Sequence, residues 1–133
     1  MALTDSQISA IIGGAIGLVG TVLGFLGAEL QARLAKRRRL KGVLHMLSHE
    51  VSINKHALDT WKPGSDLPVR SNYLWESLRG DAAGLLKQEQ VVALSDFYYL
   101  QASLYKKHEP TENDVRALID KGDAALDCLD ASD

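Results

Sequence analysis

The sequence predicts an all-α protein, in which one N-terminal transmembrane helix continues into a long juxtamembrane helix packed with a small helical bundle. Three observations carry this. Residues 6–28 (SQISAIIGGAIGLVGTVLGFLGA) contain no charged side chain. A dense basic cluster follows directly behind them. Beyond it, apolar residues recur at helical spacing, with no strand-like alternation, repeat or low-complexity stretch.

The uncharged run comes first. At 1.5 Å per residue it reaches roughly 30–35 Å, enough to cross a bilayer's hydrocarbon core. Ser6 and Gln7 lie at its edge, while Ser9 and Thr21 have hydroxyls able to bond back to the helix backbone. A secretory signal peptide would place positive charge before a shorter apolar core. Here Asp5 precedes the run and the basic residues follow it. A buried helix of a soluble protein rarely runs this long without a charge.

Gly13, Gly17, Gly20, Gly24 and Gly27 repeat within the run at spacings of 4, 3, 4 and 3. At about 100° per residue they fall on one stripe roughly 80° wide, which Ala10 extends. Glycine weakens a helix in water, but in lipid it lets two backbones approach closely, and Gly13/Gly17 and Gly20/Gly24 are each small-xxx-small pairs. The mean repeat favours a left-handed crossing. Ile12, Ile16, Leu18, Val19, Val22, Leu23, Phe25 and Leu26 cover the remaining directions. The stripe therefore reads as a helix-packing surface, for a copy of the same chain or for a foreign helix.

Orientation follows from Arg33, Lys36, Arg37, Arg38, Arg39 and Lys41, which by the positive-inside rule stay in the cytoplasm. The expected placement is a single pass through the inner (cytoplasmic) membrane, N-terminus outside and C-terminal domain in the cytoplasm. Runs such as KRRRLK also contact nucleic-acid phosphate. Beside a membrane span they read instead as partners of anionic lipid headgroups, and no nucleic acid is expected. The charge layout agrees: residues 29–62 carry eight Lys/Arg against three acids, residues 63–133 seven against thirteen, within a net charge of −2.

No stop signal intervenes before Thr60, so one helix is expected over residues 6–60. Leu40, Leu44, Leu47, Val51 and Leu58 form its apolar face, with Val43 and Asn54 beside it. The loop KPGSDLP ends it. A short helix follows over 71–79, pointing Leu74, Trp75 and Leu78 inward, with Gly80 as its stop. Residues 81–86 read as a turn or a short helical piece. A helix over 88–107, with Val91, Leu94, Phe97, Tyr98, Leu100, Leu104 and Tyr105, is the expected centre of the bundle. The last helix starts at Pro110-Thr111, with Thr111 as N-cap and Asp114 completing a capping box. Val115, Leu118, Ile119, Gly122, Leu126 and Leu129 supply its seam. The 133 residues thus divide into an external N-terminus (1–5), a transmembrane helix (6–28), a basic juxtamembrane helix (29–61) and a cytoplasmic bundle (62–133).

Glu50-x3-Asn54-x3-Leu58, then Leu74-Trp75, then LLKQEQVVALSDFYYLQASLY resembles a loose class of small bacterial, archaeal and phage-borne membrane proteins. These place one or two spans before a cytoplasmic helical domain with E-x-x-x-N and W-x-x-L segments. The resemblance covers residues 1–106 and implies architecture, with no particular activity.

Candidate chemistry is sparse. His45, His49 and His56 share one side of the juxtamembrane helix, and His45/His49 have the spacing that grips zinc. That side is opposite the apolar stripe and carries no further ligand, so a solvated surface is expected. Glu50 and Asn54 border the apolar face and read as a buried, hydrogen-bonded structural pair. Glu29 and Arg33 make an i, i+4 ion pair. Trp61 and Trp75 read as packing residues. Cys128, the single cysteine, lies between Asp127 and Asp130, a poor setting for a reactive thiol. There is no G-x-S-x-G, P-loop, G-x-G-x-x-G or Cys-x-x-Cys. No catalytic residue, cofactor or metal is expected.

The expected role is a membrane-anchored helical interaction module, self-associating as a homo-oligomer through the glycine-lined helix, with a protein partner on the bundle. The alternatives are a homo-oligomeric pore lined by that helix and an accessory subunit of a larger membrane complex.

Overall fold

The computed structural model describes residues 2–131, the side chains of residues 82 and 83 excepted. Four helices follow in chain order: α1 (Asp5–Asp59), α2 (Tyr73–Leu85), α3 (Gln88–Lys106) and α4 (Glu112–Asp130), with no strand among the described residues. The fold is all-α, as the helical spacing predicts. The chain divides into two units, Met1–Arg39 and Leu40–Asp133, so the last part of α1 belongs with α2, α3 and α4.

Within the first unit α1 stands uncovered. Ile11, Ile16, Leu18, Leu23 and Phe25 are all exposed, and none of the most apolar window is buried. A core helix of a soluble domain would be covered on at least one side. This helix is long and apolar enough to cross a membrane. Thr21 Oγ1 donates to the Gly17 carbonyl at 2.9 Å, and Arg33 pairs with Glu29 at 3.0 Å.

The second unit has one core. Val43, Leu47, Val51 and Leu58 enter it from α1, Leu94, Phe97, Tyr98 and Leu104 from α3, and Val115, Leu118, Ala125 and Leu129 from α4. The buried positions of α1 also include Glu50 and Asn54. At about 100° per residue all six fall within an arc of roughly 100°. The face is therefore centred nearer Val43 and Asn54 than the leucines alone suggest; Leu44 sits at its margin and Leu40 at its N-terminal end, both partly buried.

Three helices converge at Gly122 of α4. A Cβ there would stand 3.2 Å from Phe97 Cε2 of α3 and 3.8 Å from Lys55 Cβ of α1. The missing side chain is what allows this approach. Alongside, Lys55 of α1 forms an ion pair with Asp123 of α4, and that hydrogen bond raises the Lys55 pKa.

One expectation is corrected. Gly80 does not stop α2, which continues to Leu85. A glycine C-cap needs a left-handed backbone, and among the described residues only Gly64 has positive φ, at 86°. Gly80 is helical, and Leu74, Leu78 and Leu85 share one half-buried face on both sides of it. That shared face carries the helix through a residue costing about 1 kcal/mol relative to alanine.

The start of α4 follows its sequence signal. Thr111 Oγ1 accepts from the Asp114 amide at 3.2 Å, and Asp114 Oδ2 accepts from the Thr111 amide at 2.9 Å. Lys107 Nζ approaches Asp114 at 2.8 Å and, with the Thr111 donors, lowers the Asp114 pKa from 3.8 to about 2. A depressed carboxyl pKa stabilises the fold above its unfolded value, and this contribution disappears as pH falls from 3.8 through about 2. Thr111→Ala is expected to cost about 1 kcal/mol and to flatten this acid dependence, measured by circular dichroism during urea unfolding at neutral and acid pH.

Candidate functional site

Two features stand apart from the apolar core. The first is the uncovered part of α1. Gly13, Gly17, Gly20, Gly24 and Gly27 have nothing within 4 Å of where a Cβ would stand, so the stripe is open along its length. Behind it Arg33, Lys36, Arg37, Arg38 and Arg39 are all exposed. Advancing about 100° per residue, they leave no sector of the helix wider than roughly 100° without a cation. That is a collar, where an amphipathic helix lying on a surface would carry its cations on one face. Lys41, the remaining basic position, is exposed in the second unit.

The second feature is a polar clamp inside the second unit. Glu50 and Asn54 lie one turn apart on α1, both 3% exposed. Asn54 reads the backbone of Ser71 in both directions, with Oδ1 accepting from the amide at 2.8 Å and Nδ2 donating to the carbonyl at 2.5 Å. Glu50 Oε2 accepts from Ser71 Oγ at 3.1 Å and from the Leu74 amide at 2.9 Å. Glu50 Oε1 accepts from the Trp75 amide at 3.3 Å and from the Tyr98 hydroxyl at 2.5 Å.

Leu74 and Trp75 supply the second and third amides of α2. These are the donors that an N-cap side chain ordinarily satisfies from within its own helix. Here the acceptor comes from α1, more than twenty residues earlier, and its negative charge suits the positive end of the α2 dipole. Above the clamp the Trp75 indole stacks on the Tyr98 ring, with centroids 5.4 Å apart and planes 2° from parallel. Phe97 meets Tyr98 edge-on at 5.1 Å. Burial pushes the Tyr98 phenol far above its ordinary pKa, and the Glu50 carboxylate pushes it further, so it remains a donor. The expectation of a buried, hydrogen-bonded Glu50/Asn54 pair holds, with the bonds running to residues 71–75 and to Tyr98.

His45, His49 and His56 are exposed, and His56 lies 4.0 Å from Asp59. Among the described residues no group of three metal-ligating side chains forms. Trp61 donates from Nε1 to the Ser65 carbonyl at 3.0 Å, folding the loop after α1 onto itself. Cys128 is half-buried. Two core residues escape the apolar periodicity altogether. Gln90 is buried, with Oε1 accepting from the Lys87 amide at 2.9 Å and Nε2 donating to the Cys128 carbonyl at 3.4 Å. Gln101, three turns further along the same face of α3, is buried too.

No protein-family model, curated protein sequence or solved structure matches this chain.

Proposed function

We propose that this chain is a membrane-anchored interaction module with no chemistry of its own. In this reading the apolar part of α1 crosses the inner membrane once, with the N-terminus outside. The collar Arg33, Lys36, Arg37, Arg38 and Arg39, followed by Lys41, sits among anionic headgroups of the cytoplasmic leaflet, where each nearby cation contributes about 1 kcal/mol. Copies pair along Gly13, Gly17, Gly20, Gly24 and Gly27, and the bundle holds the oligomer together or docks a cytoplasmic protein.

One observation carries this reading: an uncharged stretch of α1, residues 6–28, exposed on every side, with its glycine face open. In lipid the outward apolar side chains are at no disadvantage, and the open stripe offers the close backbone contact that drives helix association there. A pore lined by the same stripe is less well supported. Thr21 is the one polar side chain in mid-span, and its hydroxyl is already committed to the Gly17 carbonyl.

The test is the mass of the protein in detergent by light scattering, wild type beside Gly20→Leu. A discrete oligomer that Gly20→Leu weakens by about tenfold or more, roughly 1.4 kcal/mol, is the expected result. A high-order ring would favour the pore. Monomers in both samples would end the self-association reading and leave a foreign helix as the occupant of the stripe.

A further inference from the structure

We propose that α2 is a latched strap, which releases from the bundle as a unit while α1, α3 and α4 stay packed, and that Glu50 is its latch. The inference is independent of how the membrane segment associates.

The two ends of the strap are fixed. Before it, the Tyr105 hydroxyl donates to the Pro68 carbonyl, and the Arg70 guanidinium lies 5.1 Å above the Tyr105 ring. After it, Leu86 is buried in the core. Between these anchors little apolar surface holds α2 down. Trp75 is its one buried side chain among those described, with Leu74, Leu78 and Leu85 only partly covered. Segments secured by few buried apolar contacts open at low free energy, ahead of the global transition.

The strap is also weak in itself. Gly80 and Gly84 lie inside the helix, and nothing stands within 4 Å of where a Cβ would be at either. No close packing demands a glycine there, unlike at Gly122. Each lowers helix stability relative to alanine. The polar hold that α1 exerts is concentrated at one end: Glu50 takes the Ser71 hydroxyl and the Leu74 and Trp75 amides, and Asn54 takes the Ser71 backbone. Losing the charge of Glu50 weakens every one of its bonds at once. Glutamine at the same place would also turn an NH2 group toward donors.

Hydrogen exchange read by mass spectrometry on the full chain in detergent tests this directly. In the wild type, amides of residues 76–85 are expected to exchange about tenfold or more faster than those of the α3 and α4 cores. Glu50→Gln should accelerate residues 76–85 by about 10- to 100-fold, and the α3 and α4 cores by no more than that factor, since both openings are measured from the same weakened native state. Equal protection of α2, α3 and α4 in the wild type would overturn the strap, and unchanged exchange of residues 76–85 in Glu50→Gln would overturn the latch. Should Glu50→Gln fail to fold, Ala125→Gly in α4 decides: faster exchange of the α3 and α4 cores with residues 76–85 unchanged supports independent release, and equal acceleration of residues 76–85 refutes it.

Discussion

Glu50→Ala is expected to lower the stability of the bundle by about 2–4 kcal/mol, because it leaves buried donors without an acceptor at about 1–3 kcal/mol each. The stranded groups are the Leu74 and Trp75 amides and the Ser71 and Tyr98 hydroxyls. Water admitted to the emptied space would recover part of the loss, so the individual costs do not add. In a domain of this size the change corresponds to a fall in melting temperature of about 10 °C or more, measured by circular dichroism. Asn54→Ala, which strands only the Ser71 backbone, should cost less. A loss below about 1 kcal/mol for Glu50→Ala would mean that solvent already reaches the clamp. The strap also sets a ceiling: once α2 has come away, the Leu74 and Trp75 amides are hydrated and no longer feel the substitution. The global loss therefore cannot greatly exceed the free energy with which α2 is docked.

What the sequence made legible depended on whether the signal was local. The absence of breakers before Thr60 is a property of consecutive residues, and α1 ends at Asp59. The Thr111/Asp114 box lies within four residues and forms as read. The clamp is different, because Glu50 meets its partners 21 to 48 residues away. Periodicity could place Glu50 on the border of an apolar face, but nothing nearby says that a helix N-terminus will arrive there. Gln90 and Gln101 went unread because a polar residue at an inward position looks like an interruption of the pattern. Their register with Leu94 and Phe97 was the available clue. Gly80 misled for the opposite reason: a strong local stop signal was outweighed by the shared leucine face of Leu74, Leu78 and Leu85. The glycine stripe and basic collar were legible as patterns, since exposed positions on one helix need no fold to bring them together.

Gly122 and Phe97 supply the other large effect, and their pairing is testable as a size exchange. Phe97 is 0% exposed, and Phe97→Ala is expected to cost about 3–5 kcal/mol through lost burial and the cavity left behind. Gly122→Leu errs the other way. Its Cβ alone would crowd Phe97 Cε2 at 3.2 Å, and its remaining carbons would meet the ring or the Lys55 stem. Overpacking of this kind costs about 1–3 kcal/mol, against which leucine gains somewhat under 1 kcal/mol of helix propensity over glycine. The two substitutions together should be less harmful than the sum of each, because the leucine side chain can enter the volume that the phenyl ring vacates. A favourable coupling of about 1 kcal/mol or more in urea unfolding of the four-member cycle is expected, in the range typical of residues in contact. Strict additivity would mean that leucine at 122 turns toward Lys55 and spares the ring. In that case the Lys55–Asp123 ion pair would be disturbed instead, and the raised Lys55 pKa should fall back toward its ordinary value. The cycle thus tests whether Gly122 is required by α3 or by α1.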